Sequence, residues 1–393
     1  MMANEDLKKS LWHAFDLLDI TGHPHKIRTL SVPKTKLKVL TNNLGHLLGL
    51  EKAENIWDQV TNENISFDLF MEVLYSHLFV GIDTNSVATF AYFKAEIDNL
   101  CWMLCEKSYR QISRSNSVPN CESDESAVNK TVNLKVTTET DRKEEFSSDT
   151  YYKLWKIFNF LVERAEDGSL TVPLRIDMEE AERVLMEVCQ KAGIPVSRDI
   201  CSHIRITDNL DSEAFLLDFY EFVRLTLERL SSLDDQKAVS YGISQVHGHI
   251  VADIVRKGYM VKFGNKITTW KERWFVLTAS AFRYYVTSEE KDLKGTIFLA
   301  SECVIKNIPE KSGSKYHRFV LKTPNKDYEL SAPDLKSKNE WMSDLKRVIS
   351  NIGKSNDSLQ RQAWKERKSE RQIRRKHIAE ELSRKTDTDT TLK

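Results

Sequence analysis

The chain has 393 residues, 40% hydrophobic and 30% charged, which is enough for two to four domains with cores of their own. Lys+Arg and Asp+Glu both total 58, so net charge points to no partner, yet residues 256–294 hold nine Lys/Arg against four Asp/Glu, and 361–376 hold eight against two. Six cysteines without Cys-x-x-Cys spacing exclude a zinc ribbon and a disulfide framework and read as free thiols of a reducing compartment, while a charged start, no apolar run of about 18 residues and no lipidation signal argue against secretion, a membrane span and a lipid anchor.

Residues 1–110 read as a helical module. Leu7, Leu11, Ala14, Phe15 and Leu18 recur at helical spacing, as do Leu37, Leu40, Leu44, Leu47 and Leu48. Phe67, Phe70, Met71, Leu74 and Leu78 form a third stripe, and Ile97, Leu100, Trp102 and Leu104 a fourth. Residues 111–149 are rich in Ser, Thr, Asn, Asp and Glu and bury too little to offset chain entropy. They read as a disordered linker and a place for phosphorylation. Residues 150–247 return to helix, with stripes at Tyr152, Trp155, Ile157, Phe158 and Leu161, at Ala181, Val184, Leu185 and Val188, and at Phe215, Phe219, Phe222, Val223 and Leu225. Residues 248–353 shift to short strands at 274–277, 281–286, 296–299, 317–321 and 327–330, closed by a helix after Pro333. Residues 354–393 form a tail, a basic helix to about 385 with Thr386 to Lys393 as a frayed end.

The helical modules invite an EF-hand reading. A calcium loop needs oxygen ligands at positions one, three, five and twelve, with Gly at six. Counting from Asp19 puts Pro24 at six and Leu30 at twelve. Counting from Asp58 puts Glu63 at six, Ile65 at eight and Leu69 at twelve. In the third region Asp167-Gly168 reads as positions five and six, with Leu174 at twelve; in the fourth, Leu210 stands at one and Glu221 at twelve. The expectation is EF-hand-like scaffolds without metal, with a calcium sensor as an alternative reading.

Gly258-Tyr259-Met260-Val261-Lys262 and Trp270-Lys271-Glu272-Arg273-Trp274-Phe275-Val276-Leu277 read as two strands joined by a polar loop. Alternation puts Lys271 and Arg273 on one face. Arg grips a phosphate bidentately and Lys acts as a point charge. With Tyr284-Tyr285, Lys294-Gly295-Thr296-Ile297 and the helix residue Trp341, this block resembles a pleckstrin homology (PH) domain. The resemblance implies lipid-binding residues at Lys262, Lys271 and Arg273, joined by Tyr284 and Lys294. Trp274, Phe275 and Trp341 read as core.

His23-x-His25 and His247-x-His249 lack a third ligand and read as surface or loop histidines. No nucleophile elbow, Walker loop, kinase set or His-Glu-x-x-His motif occurs, so nothing asks for a catalytic residue or a cofactor. The tail from Arg361 to Lys376 reads as a solvated helix or the opening of a coiled coil. Its sharper readings are attraction to anionic lipid, to acidic filaments or to a nuclear import receptor. Basic and aromatic residues do not interleave, so no nucleic-acid partner is expected.

The stretches 7–15, 36–40, 101–105, 154–161 and 253–260 resemble the switch-associated protein family, and the similarity spans about 5–385. It implies an EF-hand-like N-terminal region, a central PH domain and a C-terminal coiled coil. It also implies exchange activity on Rac-type GTPases, response to phosphatidylinositol 3,4,5-trisphosphate and action on actin. The chain departs from that pattern in an expanded stretch at 22–30, a long linker at 112–149 and an end soon after the coiled coil would begin, where the exchange region lies. The expectation is a multidomain α+β phosphoinositide-binding signalling adaptor, cytoplasmic, recruited peripherally to the plasma membrane and working with Rac-type GTPases and F-actin. The nucleus is a second location, and a guanine nucleotide exchange factor is the competing reading.

Overall fold

The computed structural model describes residues 5–20, 30–80, 87–114, 146–165, 167–195, 216–230, 235–264, 269–279, 281–310, 316–354 and 357–390. The chain divides into two compact units, 1–244 and 245–393. Most of the expected linker at 111–149 lies outside the described residues, as do His23 and His25.

The first unit opens with α1 (Glu5–Ile20), β1 (Ser31–Pro33) and α2 (Lys34–Leu47). A tight turn at Ala53–Gln59 leads to β2 (Asn64–Ser66) and α3 (Phe67–Val73), which continues as a π turn over Leu74–Leu78. Then come α4 (Val87–Arg114), α5 (Ser148–Leu161), β3 (Ile176–Asp177), α6 (Met178–Ala192), β4 (Leu216–Leu217), α7 (Phe219–Leu230) and α8 (Gln236–Ile250). β1 pairs with β2 through Val32 and Ile65, and β3 with β4 through Ile176 and Leu217. Each bridge joins two helix–loop–helix pieces. Local chemistry sets the helix starts: Ser66 accepts from the Leu69 amide, Ser147 from Thr150 and Asp177 from Glu179. Gly193, at φ 72°, ends α6 in the left-handed conformation.

Most residues of the apolar stripes read from sequence face inward, and Phe215 lies outside the described residues. Leu7, Leu11, Ala14 and Phe15 are buried, and Phe15 meets Phe67 and Phe70 at ring distances of 5.4 Å. Burying such side chains contributes about 1.5–3 kcal/mol each. The stripe at Ile97–Leu104 belongs to a 28-residue helix, because neither Gly nor Pro interrupts α4. The first and third loops are out of register. In the first, Val32 pairs with Ile65 and takes position eight, so Lys36 rather than Leu30 stands at twelve. In the third, the strand residue is Ile176, which is paired with Leu217. With Ile176 at position eight, Glu180 rather than Leu174 stands at twelve.

The second unit holds β5 (Ile254–Phe263), β6 (Trp270–Thr278), β7 (Ala281–Tyr285), β8 (Leu293–Phe298), β9 (Val304–Asn307), β10 (His317–Lys322) and β11 (Asp327–Ala332). They form one antiparallel sheet in the order β8-β7-β6-β5-β11-β10-β9. α9 (Leu335–Asn351) starts on the Asp334 carboxylate, which accepts from Ser337 N at 2.7 Å. Trp341, Leu345 and Val348 from α9 close a core with Met260, Phe275, Phe282, Phe319 and Leu330. α10 (Leu359–Thr390) starts where the Ser358 amide donates to the Asp253 carboxylate at 3.0 Å.

Here too the sequence reading shifts. β9 was not foreseen, because a four-residue edge strand with mostly exposed side chains carries little alternation. Trp274 is not core. Phe275 points inward and is fully buried, so its neighbour Trp274 points outward, packing edge-on against Tyr259 at 4.8 Å and donating to Glu290. α10 runs on to Thr390, past the fraying expected at Thr386.

Candidate phosphate-binding site

The site follows from the pleat of β5 and β6. Met260 faces the core, so Lys262, two residues on, shares its face. On β6, Phe275 and Leu277 face the core, so Arg273 and Lys271 continue that face toward the strand start. The register sets Lys262 opposite Lys271 and Met260 opposite Arg273. Three cations therefore emerge together where the core opens, while Glu272 faces the other way, opposite Val261.

β7 brings Tyr284. It lies opposite Phe275, with ring centroids 5.5 Å apart. Its hydroxyl lies over Gly295 of β8, where an added Cβ would stand 2.5 Å from that oxygen. Only glycine allows this approach. The register slips between Tyr284 and Tyr285, which pair with Gly295 and Leu293, leaving Lys294 as the extra residue of a bulge. Lys294 Nζ stands 3.0 Å from Asp292. That pair is exposed and worth little, so an incoming anion can replace the aspartate.

Sequence reasoning missed Lys326 and Tyr328. Lys326 lies in the turn between β10 and β11, fixed by Thr323 Oγ1, which accepts from Lys326 N at 3.2 Å and donates to Lys326 O at 2.9 Å. Its Nζ stands 4.5 Å from the Tyr328 ring centroid. Lys262 Nζ stands 6.0 Å from the same ring and 5.5 Å from the Tyr284 ring. The two ammonium groups share an aromatic floor. The available signal was the turn Thr323-Pro324-Asn325-Lys326 between two alternating strands.

Electrostatics mark the crowding. Burial holds the Lys262 ammonium below the ordinary lysine value, and the charges of Lys326, Arg273 and Lys271 push it the same way. Burial raises the Tyr284 hydroxyl, against which Lys326 and Arg273 pull. Tyr328 is raised by burial alone. Such a cluster suits a polyanion that enters from solvent: the guanidinium forks onto one phosphate, the lysines add point charges and the tyrosine donates a hydrogen bond.

Among the described residues no group of three or more His, Cys, Asp or Glu is placed to hold a metal, and no helix is long and apolar enough to cross a membrane. Cys101, Cys105, Cys189 and Cys303 are buried. His247 and His249 lie in the last turn of α8.

Residues 254–350 match the PH domain family. Residues 1–102 match the switch-associated protein 70-like, N-terminal EF-hand domain family. Switch-associated protein 70 of Gallus gallus is 30% identical over 96% of this chain and 56% of its own length. The differentially expressed in FDCP 6 homolog of Danio rerio is 26% identical over 89% of this chain and 50% of its own length. The chain thus spans about half the length of the curated relatives it matches. Among solved structures, the carboxyl-terminal PH domain of pleckstrin is 26% identical over 24% of this chain and 96% of that one, with a TM-score of 0.22.

Proposed function

Because the chain belongs with the switch-associated proteins and contains a PH domain, we propose that it is a phosphoinositide-binding signalling adaptor recruited to the membrane surface. The observation that carries this reading is the convergence of Lys262, Lys271, Arg273 and Lys326 on one opening of the sheet. Arg273 grips one phosphate of a multiply phosphorylated inositol ring, and the three lysines surround the others. Tyr284 donates its hydroxyl, and Lys294 exchanges Asp292 for a phosphate. The trisphosphate lipid fits the number of cations. Kinship with the switch-associated proteins adds Rac-type GTPases and actin as the signalling context, with the chain cytoplasmic until lipid recruits it. The domain borders in this reading stay at 110, 149, 247 and 353.

The test is co-sedimentation of the whole chain with vesicles carrying phosphatidylinositol 3,4,5-trisphosphate. Lys271→Ala with Arg273→Ala removes two charge-assisted contacts and weakens binding at least about tenfold. Equal binding by the double variant and the unaltered chain would refute the pocket.

A further inference from the structure

The match to an EF-hand domain implies calcium, and the donor set of the first helix–loop–helix pair does not fit it. Val32 and Ile65 pair across β1 and β2, which gives them the eighth loop positions. Counting on, the twelfth positions, where calcium expects a bidentate carboxylate, hold Lys36 and Leu69. The first turn of α2 contains no acidic residue. The second pair differs: with Ile176 and Leu217 at position eight, its twelfth positions hold Glu180 and Glu221.

What stands in the first pair is ammonium. Lys36 Nζ donates to Leu18 O at 2.9 Å, one residue before Asp19 at the end of α1. In the second loop Lys34 Nζ donates to Val60 O, in the third position, at 3.2 Å and stands 3.0 Å from the carboxylate of Glu63 in the sixth. Lys38 Nζ stands 2.8 Å from Asp58 in the first position. The arrangement follows from helix geometry. Lys34 and Lys38 are four residues apart and share the face of α2 toward the second loop. Lys36 lies about 200° round from Lys34 and reaches the last turn of α1. Oxygen atoms at the first and third positions of the second loop, two of the places where a calcium loop sets its ligands, and the carboxylate at the sixth already face ammonium groups that are covalently part of the chain.

We propose that Lys34, Lys36 and Lys38 take the place of calcium in the N-terminal EF-hand pair, tying its second loop to α2 and α2 to the end of α1 in a geometry independent of the metal. This does not depend on the lipid reading of the PH domain.

Amide hydrogen exchange of the whole chain, read on peptides covering 31–47, tests it. Exchange there should be the same with calcium as with a chelator. Lys36→Met, and separately Lys34→Met with Lys38→Met, should speed it about tenfold, the factor for losing about 1.4 kcal/mol, with no recovery on adding calcium. Calcium-dependent protection of the unaltered chain in these peptides would overturn the proposal, as would unchanged exchange in both variants. Should a variant not fold, amine labelling of the unaltered chain decides. Lys36 should react several-fold more slowly than the exposed Lys52, and equal rates would overturn the assignment.

Discussion

Lys262 is the residue on which the chemistry of the candidate site turns. Burial and three neighbouring cations hold its ammonium below the ordinary value of 10.5. A bound phosphate supplies the missing counter-charge and pulls that value back up, so binding favours the protonated amine. The sign follows: the Lys262 contribution to affinity is whole below its lowered free-state value, starts to fall there and is lost as pH rises through the higher bound-state value. Titration of the chain with a soluble inositol polyphosphate, from neutral to alkaline pH, should show affinity falling earlier than an ordinary lysine would allow. Lys262→Arg should remove that fall, since a guanidinium keeps its proton throughout. Superimposable pH profiles for the two proteins would contradict this assignment.

At the scale of elements, the hairpin of β7 and β8 sets Tyr284 through Gly295. A Cβ at Gly295 would come within 2.5 Å of the Tyr284 oxygen and 2.7 Å of its ring, so Gly295→Ala must push the tyrosine aside. The expected outcome is several-fold weaker phosphoinositide binding with a stability loss of about 1–3 kcal/mol, checked by vesicle binding and urea unfolding. Trp341 anchors α9 to the sheet and is 3% exposed. Trp341→Ala should cost about 3–5 kcal/mol in the same unfolding measurement. These elements also show what the sequence made legible. Alternation exposed β5, β6 and β7, and with them Lys262, Lys271, Arg273 and Tyr284, because each strand is half buried and long enough for the period to register. β9 escaped, being short and at an edge. Trp274 was misplaced because hydrophobicity was read without alternation against Phe275. Lys326 escaped because its approach to Lys262 depends on the β10–β11 turn folding toward β5. That is a contact between distant parts of the chain, and local pattern does not encode it. The third EF-hand-like loop was misnumbered because Asp167-Gly168 imitates a loop motif, whereas the pairing of Ile176 with Leu217 sets the register.

At the scale of the whole molecule, the second unit offers a cationic opening built on a sheet, and the first offers EF-hand-like pairs of which one is filled by its own lysines. The chain spans about half the length of its curated relatives, so the claim that rests on its own residues is lipid recognition. Attraction between the cluster and a phosphorylated headgroup is electrostatic, and exposed charges are screened within about 8–10 Å at physiological salt. Binding must therefore weaken as salt rises, while a fitted pocket must still tell a trisphosphate headgroup from diffuse negative charge. The most direct measurement compares binding of the unaltered chain to vesicles containing phosphatidylinositol 3,4,5-trisphosphate with vesicles matched in total charge by phosphatidylserine. Saturable binding to the first, at least about tenfold tighter than to the second at physiological salt, is the predicted result. Equal binding to both surfaces would contradict it.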